Sequence, residues 1–397
     1  MQNLNMIFNH FFEKIANNIF QKIQYGNLKV CFPSGETKYF TGYNKVINAD
    51  IKLNNFSMLV KLLKKGSIGF AESYIDGDFS SSNLKNLLIL AEKNNSNFVN
   101  HKQGRLLYKI LRQFKHYINQ NTKSKSKKNI SYHYDLGNKF YELWLDESMT
   151  YSSGLFKLPC DDLSRAQLNK YKKIIEPMQL TDTSTLLEIG CGWGGFSTFV
   201  AKNFGTKIHA ITNSIKQFEY TSKKISTECL NEKITVQLKD YRDINEKYNN
   251  IASIEMFEAV GIKYWPIYFD KIKNCLKNNG VAVLQIITIN ENKRKFYQKN
   301  PDFIQQYIFP GGILPSKNQL FQTTSSLGLK LNELNSFGNS YANTLNIWNE
   351  KFQKAWQQIS DQGYSIRFKR MWEYYLSYCE ASFSTKATDV SHFLLKL

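Results

Sequence analysis

The sequence predicts an α/β protein built around a doubly wound, mostly parallel sheet. Residues 186–196, LLEIGCGWGGF, have the pattern of a short buried strand, a glycine-rich turn and the start of a helix. Further along the chain, apolar strand-like stretches alternate with helical ones, as in parallel sheets whose strands are joined by helices. The stretch Gly280–Ile289 contains no charged residue, which is typical of a parallel strand buried on both faces.

Ligands of such sheets bind at the carboxyl ends of the strands. That rule places the turn Gly190–Gly195 and the side chains of Thr212, Asp240, Tyr241 and Glu258 around one crevice. A helix is predicted over Ser214–Ile225, and the predicted strands are Leu186–Ile189, Lys207–Thr212, Ile234–Leu238, Ile251–Met256 and Gly280–Ile289.

The glycine-rich turn indicates which ligand the crevice binds. A dinucleotide site requires G-x-G-x-x-G, and the glycines at 190, 192, 194 and 195 miss the third position by one residue. Glu188 completes E-x-G-x-G, the signature of S-adenosylmethionine (SAM) methyltransferases, in which a carboxylate can meet the cationic methionine end of SAM. A phosphate would gain nothing from that carboxylate. The turn therefore favours SAM, and the alternative is a tight strand–helix turn of another α/β fold.

Composition and charge limit the class of partner. The chain has 397 residues, enough for two domains with full cores, and a formal net charge of +19 with a pI of about 9.4. This charge favours an anionic partner, either nucleic acid or a membrane surface. No apolar run approaches the ~20 residues that span a bilayer, and the N-terminus lacks a signal-peptide pattern. The scattered cysteines predict a cytoplasmic protein without disulfides or a metal site.

A smaller α+β domain is predicted over residues 1–100. The strands Asn27–Phe32 and Thr37–Phe40 flank a Pro-Ser-Gly turn, which indicates a hairpin. Phe56–Lys64 and Ser82–Glu92 have helical apolar spacing. The segment Gly66–Phe79 between these helices carries three acids that serve either catalysis or, as we favour, an interdomain surface or helix caps. These acids are Glu72, Asp76 and Asp78.

Residues 101–128 combine helical apolar spacing with a lysine-rich tail that no Asp or Glu interrupts. A basic amphipathic helix suits an anionic lipid surface. The alternative is a linker helix whose apolar stripe packs on a neighbouring domain, and both can hold together. Nucleic acid is compatible with the charge alone, but no nucleic-acid motif accompanies it. The basic residues are Lys102, Arg105, Lys109, Arg112, Lys115, Lys123, Lys125, Lys127 and Lys128.

Residues 129–157 are dense in aromatic side chains. The segment directly precedes the first strand of the sheet, where methyltransferases often place a lid over SAM. The alternative is a helical cap with its own hydrophobic core. The aromatic residues are Tyr132, Tyr134, Phe140, Tyr141, Trp144, Tyr151 and Phe156.

The chain resembles the cyclopropane-fatty-acyl-phospholipid synthase family, which includes the mycolic acid cyclopropane synthases. The motifs that carry the resemblance cover roughly residues 129–397, and GSIGFAESYIDGDF looks like the N-terminal domain of the bacterial members that act on phospholipids. The matching motifs are HYDLGNKFYELWLD, MTYSSGLF, LLEIGCGWGG, ITNSIKQ, DYRD, EMFEAVG, YIFPGGILPS, FGNSYANTL and RMWEYYLSYCEASF.

The resemblance implies a class I SAM-methyltransferase fold with seven strands and a helical lid. It divides the chain into an N-terminal lipid-associated or dimerisation domain at 1–100, a basic amphipathic linker at 101–128 and a catalytic domain at 129–397. It also implies a homodimer that acts at the inner face of the cell membrane, without nucleic acid as partner.

The resemblance also assigns roles to single residues. Tyr151 and Ser152 would contact SAM from the lid. The other implied SAM contacts are Gly190, Gly192 and Gly194 beneath the methionine portion, Thr212 and Gln217 near the ribose and amino acid, and Asp240 and Tyr241 beside the adenine. Glu258 and Tyr341 would help to hold a bicarbonate ion. The alternative for Tyr341 is a core tyrosine whose hydroxyl is satisfied.

Two positions depart from the family pattern. Ser153 stands where the family often has Cys, and Gln285 replaces a bicarbonate-contacting His on the fifth strand. Both keep hydrogen-bonding ability, and we expect both to complete the bicarbonate site. Among the matched motifs only His133, in the lid segment, could replace the lost imidazole.

The implied reaction is methyl transfer from SAM to the double bond of an unsaturated phospholipid acyl chain. A carbocation follows, and loss of a proton to bicarbonate closes a cyclopropane ring. Water must be excluded, and aromatic faces stabilise the cation. One alternative uses the same fold to make methyl-branched or methylene fatty acids. Another is a lipid-binding protein without catalysis. A nucleic-acid methyltransferase lacks support, because N/D-P-P-Y/F is absent after the fourth strand.

Overall fold

The computed structural model describes residues 2–94 and 136–397. The predicted linker at 101–128 and His133 lie outside the described residues. The strands are β1 (Tyr25–Cys31), β2 (Thr37–Thr41), β3 (Asn44–Leu53), β4 (Phe79–Ser80), β5 (Thr185–Ile189), β6 (Lys207–Thr212), β7 (Ile234–Leu238), β8 (Tyr248–Ile254), β9 (Leu276–Ile289), β10 (Lys330–Ser336) and β11 (Thr388–Lys396).

The helices alternate with these strands along much of the described chain. They are α1 (Gln2–Phe20), α2 (Ser57–Lys65), α3 (Ser67–Asp76), α4 (Leu84–Lys93), α5 (Asn138–Glu142), α6 (Leu163–Ile175), α7 (Gly195–Asn203), α8 (Ile215–Thr227), α9 (Trp265–Cys275), α10 (Glu291–Lys299), α11 (Lys317–Ser326), α12 (Gly338–Lys354), α13 (Trp356–Asp361) and α14 (Ile366–Ser384). Among the helices described, none is long and apolar enough to cross a bilayer.

The chain forms two compact units. The N-terminal unit comprises the described part of Met1–Lys115 with Asn300–Ile304 and Trp356–Thr385, and the sheet unit comprises the other described residues. The predicted catalytic domain at 129–397 differs from the sheet unit, because Asn300–Ile304 and Trp356–Thr385 group with the N-terminal unit. In that unit α14 packs with α3 and α4. The cause is the apolar and ionic surface of α14, on which Tyr374 contacts Tyr74 and Glu380 pairs with Lys85.

In the N-terminal unit, a four-stranded sheet has the order β2-β1-β3-β4. β1 and β2 are antiparallel, as the hairpin prediction requires. Helices α2 and α3 approach so closely that a Cβ at Gly69 would lie 2.0 Å from the carbonyl oxygen of Lys61.

The three acids of Gly66–Phe79 form ion pairs within the N-terminal unit. Asp76 and Asp78 both contact Lys61 of α2, at 2.8 and 2.7 Å, and Glu72 lies 2.6 Å from Lys65. These acids therefore tie α3 and β4 to α2 rather than capping a helix.

The sheet unit contains the predicted seven-stranded, mostly parallel sheet, in the order β10-β11-β9-β8-β5-β6-β7. Strands β5 to β9 run parallel, and β11 is antiparallel to both of its neighbours. From β5 the chain adds β6 and β7 on one side, and then β8 and β9 on the other. The strand order therefore reverses beside β5, and the crevice at such a point is where ligands bind.

Apolar side chains of the central strands alternate between two cores. Leu187 of β5 and Leu284 of β9 belong to one core, whereas their neighbours Leu186 and Val283 belong to the other. Helices cover both faces, so the strands are apolar on both sides. The predicted strands of this sheet are confirmed, with β8 and β9 each beginning a few residues earlier than predicted and β8 ending at Ile254 rather than Met256.

Candidate active site

The turn after β5 has the backbone geometry that glycine provides. Gly190, Gly192 and Gly194 have φ values of +82°, +55° and +77°, a region that other residues adopt at a cost. A Cβ at Gly190 would lie 2.9 Å from the Met256 side chain, whereas a Cβ at Gly192 would point into open space. Gly190 and Gly194 are thus required by packing, and Gly192 leaves room for a ligand beside the backbone.

Glu188 lies inside β5 and is fully covered by protein. Its Oε2 accepts a hydrogen bond from the hydroxyl of Ser197 in α7. Burial raises the pKa of Glu188 to about 7, against the opposing effects of Ser197 and the charge of Lys170. The carboxylate therefore joins the strand to the helix after the turn, and its contact with SAM stays a prediction.

The predicted ribose and amino-acid contacts form one polar pair after β6. Thr212 donates from Oγ1 to Oε1 of Gln217 at 2.8 Å. Ser214, the N-cap of α8, accepts from the backbone N–H of Gln217 and donates its own N–H to Thr212. The three residues hold one another at the carboxyl end of the strand.

The predicted adenine border follows β7. Asp240 accepts two hydrogen bonds from the guanidinium of Arg242, both of 2.8 Å. Burial alone would raise the pKa of Asp240, but the hydrogen bonds and charge of Arg242 hold it below its usual range. Tyr241 is buried, which raises its pKa to about 12. Asp240 is therefore ionised and fixed in orientation.

Aromatic side chains of the segment before the sheet pack against two aromatic side chains of α12. We call this set the aromatic cluster: Tyr141, Trp144, Tyr151, Tyr341 and Trp348. The Tyr151 ring lies 5.4 to 5.5 Å from those of Tyr141 and Trp144 and 5.2 Å from that of Trp348. Tyr341 meets Trp348 edge to face at 6.2 Å. The cluster joins the lid segment to α12.

Ser152 does not present a free hydroxyl. Its Oγ accepts a hydrogen bond of 2.7 Å from the ammonium of Lys170 in α6, and its carbonyl accepts one from Gln167. Lys170 is fully buried, and this burial lowers its pKa to about 7 despite the charges of Glu255, Asp146 and Glu188. The lysine therefore fixes the Ser152 hydroxyl in the lid segment.

The structure brings three of the four predicted bicarbonate ligands together, but around Glu255. Oε1 of Glu255 accepts hydrogen bonds from the backbone N–H of Ser153 at 2.9 Å and from Nε2 of Gln285 at 2.7 Å. Its Oε2 accepts a hydrogen bond of 2.6 Å from the hydroxyl of Tyr341. A side chain that the sequence interpretation passed over is thus the centre of this cluster.

Glu258, the fourth predicted ligand, has a different environment. Its Oε1 accepts a hydrogen bond of 2.6 Å from the backbone N–H of Ile287, and its Oε2 is sheltered from solvent without a hydrogen-bond partner among the described residues. Loss of hydration, followed by repulsion from Glu255, raises the pKa of Glu258 to about 8. Burial away from water also raises the pKa of the Glu255 carboxyl, but the three hydrogen-bond donors to this group oppose the rise.

An imidazole does stand behind Gln285, although on another strand. His392 of β11 pairs with Gln285 of β9 across the sheet, and its Nε2 lies 2.9 Å from Oε1 of Gln285. Burial lowers the pKa of His392 to about 3, so the ring is neutral. Nδ1 of His392 lies 3.0 Å from Oδ1 of Asn335. If Gln285 donates its amide to Glu255, its oxygen must accept from Nε2–H of His392. In the neutral ring Nδ1 is then an acceptor, so the Asn335 amide must be turned to present its NH2 group.

Comparisons with known proteins identify the family of the chain. The family model for mycolic acid cyclopropane synthetase matches residues 121–393. The cyclopropane-fatty-acyl-phospholipid synthase of Escherichia coli K12 is 35% identical over 346 residues, which cover 86% of each chain. The tuberculostearic acid methyltransferase UfaA1 of Mycobacterium tuberculosis is 32% identical over 84% of this chain and 79% of its own.

A solved structure resembles the larger part of the chain. Mycolic acid cyclopropane synthase CmaA1, complexed with S-adenosylhomocysteine (SAH) and CTAB, has a TM-score of 0.63 and 26% identity over 68% of this chain and 98% of its own. The fold is therefore that of the class I SAM-dependent methyltransferases. With the family model covering more than half of its length, this chain belongs to the mycolic acid cyclopropane synthetase family.

Proposed function

We propose that the protein transfers the methyl group of SAM to the double bond of an unsaturated acyl chain in a membrane phospholipid and closes a cyclopropane ring. The observation that carries the proposal is that three parts of the site occur together in the sheet unit. An open glycine turn, the aromatic cluster and a fixed carboxylate lie at one edge of the sheet unit, in a chain 35% identical to the synthase of E. coli.

SAM, when bound, supplies an electrophilic methyl group on a sulfonium. We assign its binding to the glycine turn, to Tyr151 and Ser152 of the lid, and to the polar groups after β6 and β7. Gly192 offers open space beside its backbone, and Asp240 is a fixed, ionised acceptor. Glu188 is included because of its place in E-x-G-x-G, although Ser197 already occupies one of its oxygens.

The acyl double bond is a weak nucleophile with no acidic proton, so the reaction depends on positioning and on exclusion of water. Attack on the methyl group leaves a carbocation on the chain. Trp144 and Trp348 are fully buried and contact Tyr151. Such ring faces stabilise a cation without reacting with it, and their apolar bulk keeps water from trapping it as an alcohol.

Bicarbonate, which the family resemblance implies, does not fit the residues present. Ser153, Gln285 and Tyr341 already donate to the Glu255 carboxylate. Glu258 has one oxygen without a partner among the described residues, but a second anion there would be repelled by Glu255. No step of the proposed reaction therefore passes through bicarbonate.

A second candidate is a methyltransferase that makes methyl-branched or methylene fatty acids. The observation in its favour is the similarity to the tuberculostearic acid methyltransferase, 32% identical over 84% of this chain. The first step would be the same, and the two candidates differ only in how the carbocation is resolved. A lipid-binding protein without catalysis is the third candidate, and the intact carboxylate cluster argues against it.

The proposed substrate lies in a bilayer, and a net charge of +19 would attract the protein to an anionic bilayer surface. We propose that the protein associates peripherally with the anionic inner face of the cell membrane, the surface from which it draws acyl chains. We also propose that it does so as a homodimer formed through the N-terminal unit. Replacing Lys123, Lys125, Lys127 and Lys128 by Glu is expected to weaken sedimentation with anionic vesicles. Unchanged sedimentation would contradict the membrane proposal.

The test of function is mass spectrometry of fatty acid methyl esters after incubation with SAM and vesicles of monounsaturated phospholipid. A gain of one CH2 with a ring established by NMR supports the synthase. The same mass with an exocyclic methylene, or a saturated methyl branch, supports the second candidate. Binding of SAM without any mass gain would leave the protein without the proposed activity.

A further inference from the structure

The Glu255 carboxylate is held from three separate elements of the sheet unit. Ser153 belongs to the lid segment, Gln285 to β9 and Tyr341 to α12, and each donates one hydrogen bond to it. No neighbour of Glu255 in sequence contributes to this set. The three donors thus form a preorganised anion site, and the anion that occupies it is the carboxylate of Glu255.

The backbone at Glu255 supports a specific role for its side chain. Its φ is +50°, in the left-handed region that glycine adopts freely and other residues adopt at a cost. Such strain persists where the surrounding structure maintains it, and it is concentrated at functional sites. A glycine would relieve the strain but would remove the carboxylate from the anion site.

We propose that the Glu255 carboxylate is the base that removes the proton from the newly transferred methyl group, so that the enzyme requires no bicarbonate. This inference rests on the proposed function and names the group that completes the reaction. The methyl C–H bond breaks, its electron pair forms the C–C bond that closes the ring at the cationic carbon, and the proton goes to Glu255. The proton passes to water after the product has left.

The hydrogen bonds to the Glu255 carboxylate leave one of its lone-pair positions able to accept that proton. A carboxylate has about four lone-pair positions, and the described donors occupy two on Oε1 and one on Oε2. The remaining position on Oε2 adjoins Tyr341, whose ring contacts Trp348 of the aromatic cluster. Glu255 as a whole residue is partly exposed, although its carboxylate is surrounded by protein, which is why its pKa is raised.

The two neighbouring glutamates differ in the number of hydrogen-bond donors that they receive. Glu258 has a single donor, from Ile287, and its raised pKa of about 8 keeps it neutral at pH 7. Burial raises the pKa of Glu255 as well, and its three donors oppose this rise because they favour the ionised form. The same three donors fix the carboxylate and spread its charge, which disfavours C–O bond formation with the cation.

The experiment compares turnover with and without bicarbonate, in buffers freed of CO2, for three proteins. Wild type is expected to be equally active in both. Glu255→Gly is expected to lose about 10²- to 10⁴-fold in turnover and to regain activity with bicarbonate or formate, which can enter the vacated site. Glu255→Gln fills that site without a basic oxygen, so it is expected to be inactive and not rescued.

Asn279→Gly is the matched control, because Asn279 also has a positive φ, +64°, and is exposed. It is expected to behave as wild type. A readout independent of activity is the binding of ¹³C-bicarbonate, followed by NMR. Binding is expected for Glu255→Gly and not for wild type or Glu255→Gln.

The outcomes separate the inference from the proposed function. Wild-type turnover that rises with bicarbonate, or wild-type binding of bicarbonate as tight as that of Glu255→Gly, would overturn the inference and leave the synthase intact. Product formation by Glu255→Gly at the wild-type rate without added anion would also overturn it. Absence of product from every protein under every condition would instead overturn the proposed function, and the catalytic role of Glu255 with it.

Discussion

The two ends of the crevice are built in different ways. At the end assigned to SAM, polar groups pair with partners close in sequence: Thr212 with Gln217, five residues away, and Asp240 with Arg242, two residues away. At the other end, Ser153 and Tyr341 reach Glu255 across 102 and 86 residues. The first end is organised by single strand–helix turns, whereas the second exists only when the lid, β9 and α12 have assembled.

The largest effect on SAM binding is expected in Gly192→Val. A valine there would project into the open space that the ligand needs and would also strain a backbone with φ of +55°. Overpacking typically costs 1–3 kcal/mol, so we expect SAM affinity to fall about 100-fold. Isothermal titration calorimetry with SAM or SAH measures this directly.

Gly35→Val is the matched control for that variant. Gly35 also has a positive φ, +91°, and a Cβ there meets nothing within 4 Å, but it lies in the β1–β2 hairpin of the N-terminal unit. The backbone strain is therefore similar and the ligand site is untouched. Equal loss of SAM affinity in both variants would mean that Gly192 acts through stability alone.

A smaller effect is expected at the carboxylate end, in Tyr341→Phe. Loss of the 2.6 Å hydrogen bond leaves Oε2 of Glu255 without that donor. A hydrogen bond to a charged group contributes about 1.5–3 kcal/mol, so kcat should fall about 10- to 100-fold while the KM for SAM is unchanged. The pKa of Glu255 should rise, because the Tyr341 hydrogen bond lowers it, and the pH profile of kcat should move to higher pH.

Tyr374→Phe, in the core of the N-terminal unit, serves as control for Tyr341→Phe. It should leave the pH profile of kcat in place. A fall in kcat for Tyr341→Phe with no movement of that profile would argue that the hydroxyl only packs, and that the two ends of the crevice do not differ in their chemistry.

The same contrast explains how much could be predicted from sequence. The strands, the glycine turn and the polar residues after β6 and β7 depend on local patterns, and the structure contains them within a few residues of the predicted positions. Glu255 was visible in EMFEAVG, but nothing local distinguishes it from Glu258 three residues later. Only the approach of Tyr341, Gln285 and Ser153 makes the distinction.

Long-range packing also accounts for the other residues that sequence interpretation missed. His392 reaches Gln285 because β11 lies beside β9 in antiparallel register, a pairing that follows from the sheet and not from either strand. Lys170 lies on a helix whose sequence has ordinary amphipathic spacing, and its burial against Ser152 is set by the lid. The place of α14 in the N-terminal unit is of the same kind.

A third variant, Arg242→Ala, tests whether Asp240 contributes to SAM binding. It removes both 2.8 Å hydrogen bonds to Asp240, so the pKa of Asp240 should rise and the carboxylate should lose its fixed orientation. We expect the KM for SAM to increase about 10-fold, with kcat little changed. Arg242→Lys keeps the charge but not the two-point geometry, and it should fall between wild type and the alanine variant. A change in kcat alone would contradict the assignment.

The smallest effect is expected at His392, and it concerns stability. The folded pKa of about 3 lies below the ordinary 6.5, so between these values the unfolded chain binds one more proton than the folded one. The contribution of His392 to the free energy of unfolding is therefore fully present above pH 6.5. It decreases by about 1.4 kcal/mol per pH unit as the pH falls from 6.5 towards 3. His392→Gln can still donate to Gln285 but does not titrate, so its unfolding free energy should fall less steeply from pH 6.5 to 5.

Denaturant unfolding at a series of pH values compares the two slopes, with His10→Gln as control, because His10 is exposed near the N-terminus. Parallel curves for wild type and His392→Gln would mean that His392 is not held neutral. An imidazolium would donate from both nitrogens, to Oδ1 of Asn335 and to Oε1 of Gln285. A shallower slope in His392→Gln supports the neutral ring. In either state Nε2–H donates to Oε1 of Gln285, which directs the amide of Gln285 to Glu255 at the long-range end of the crevice.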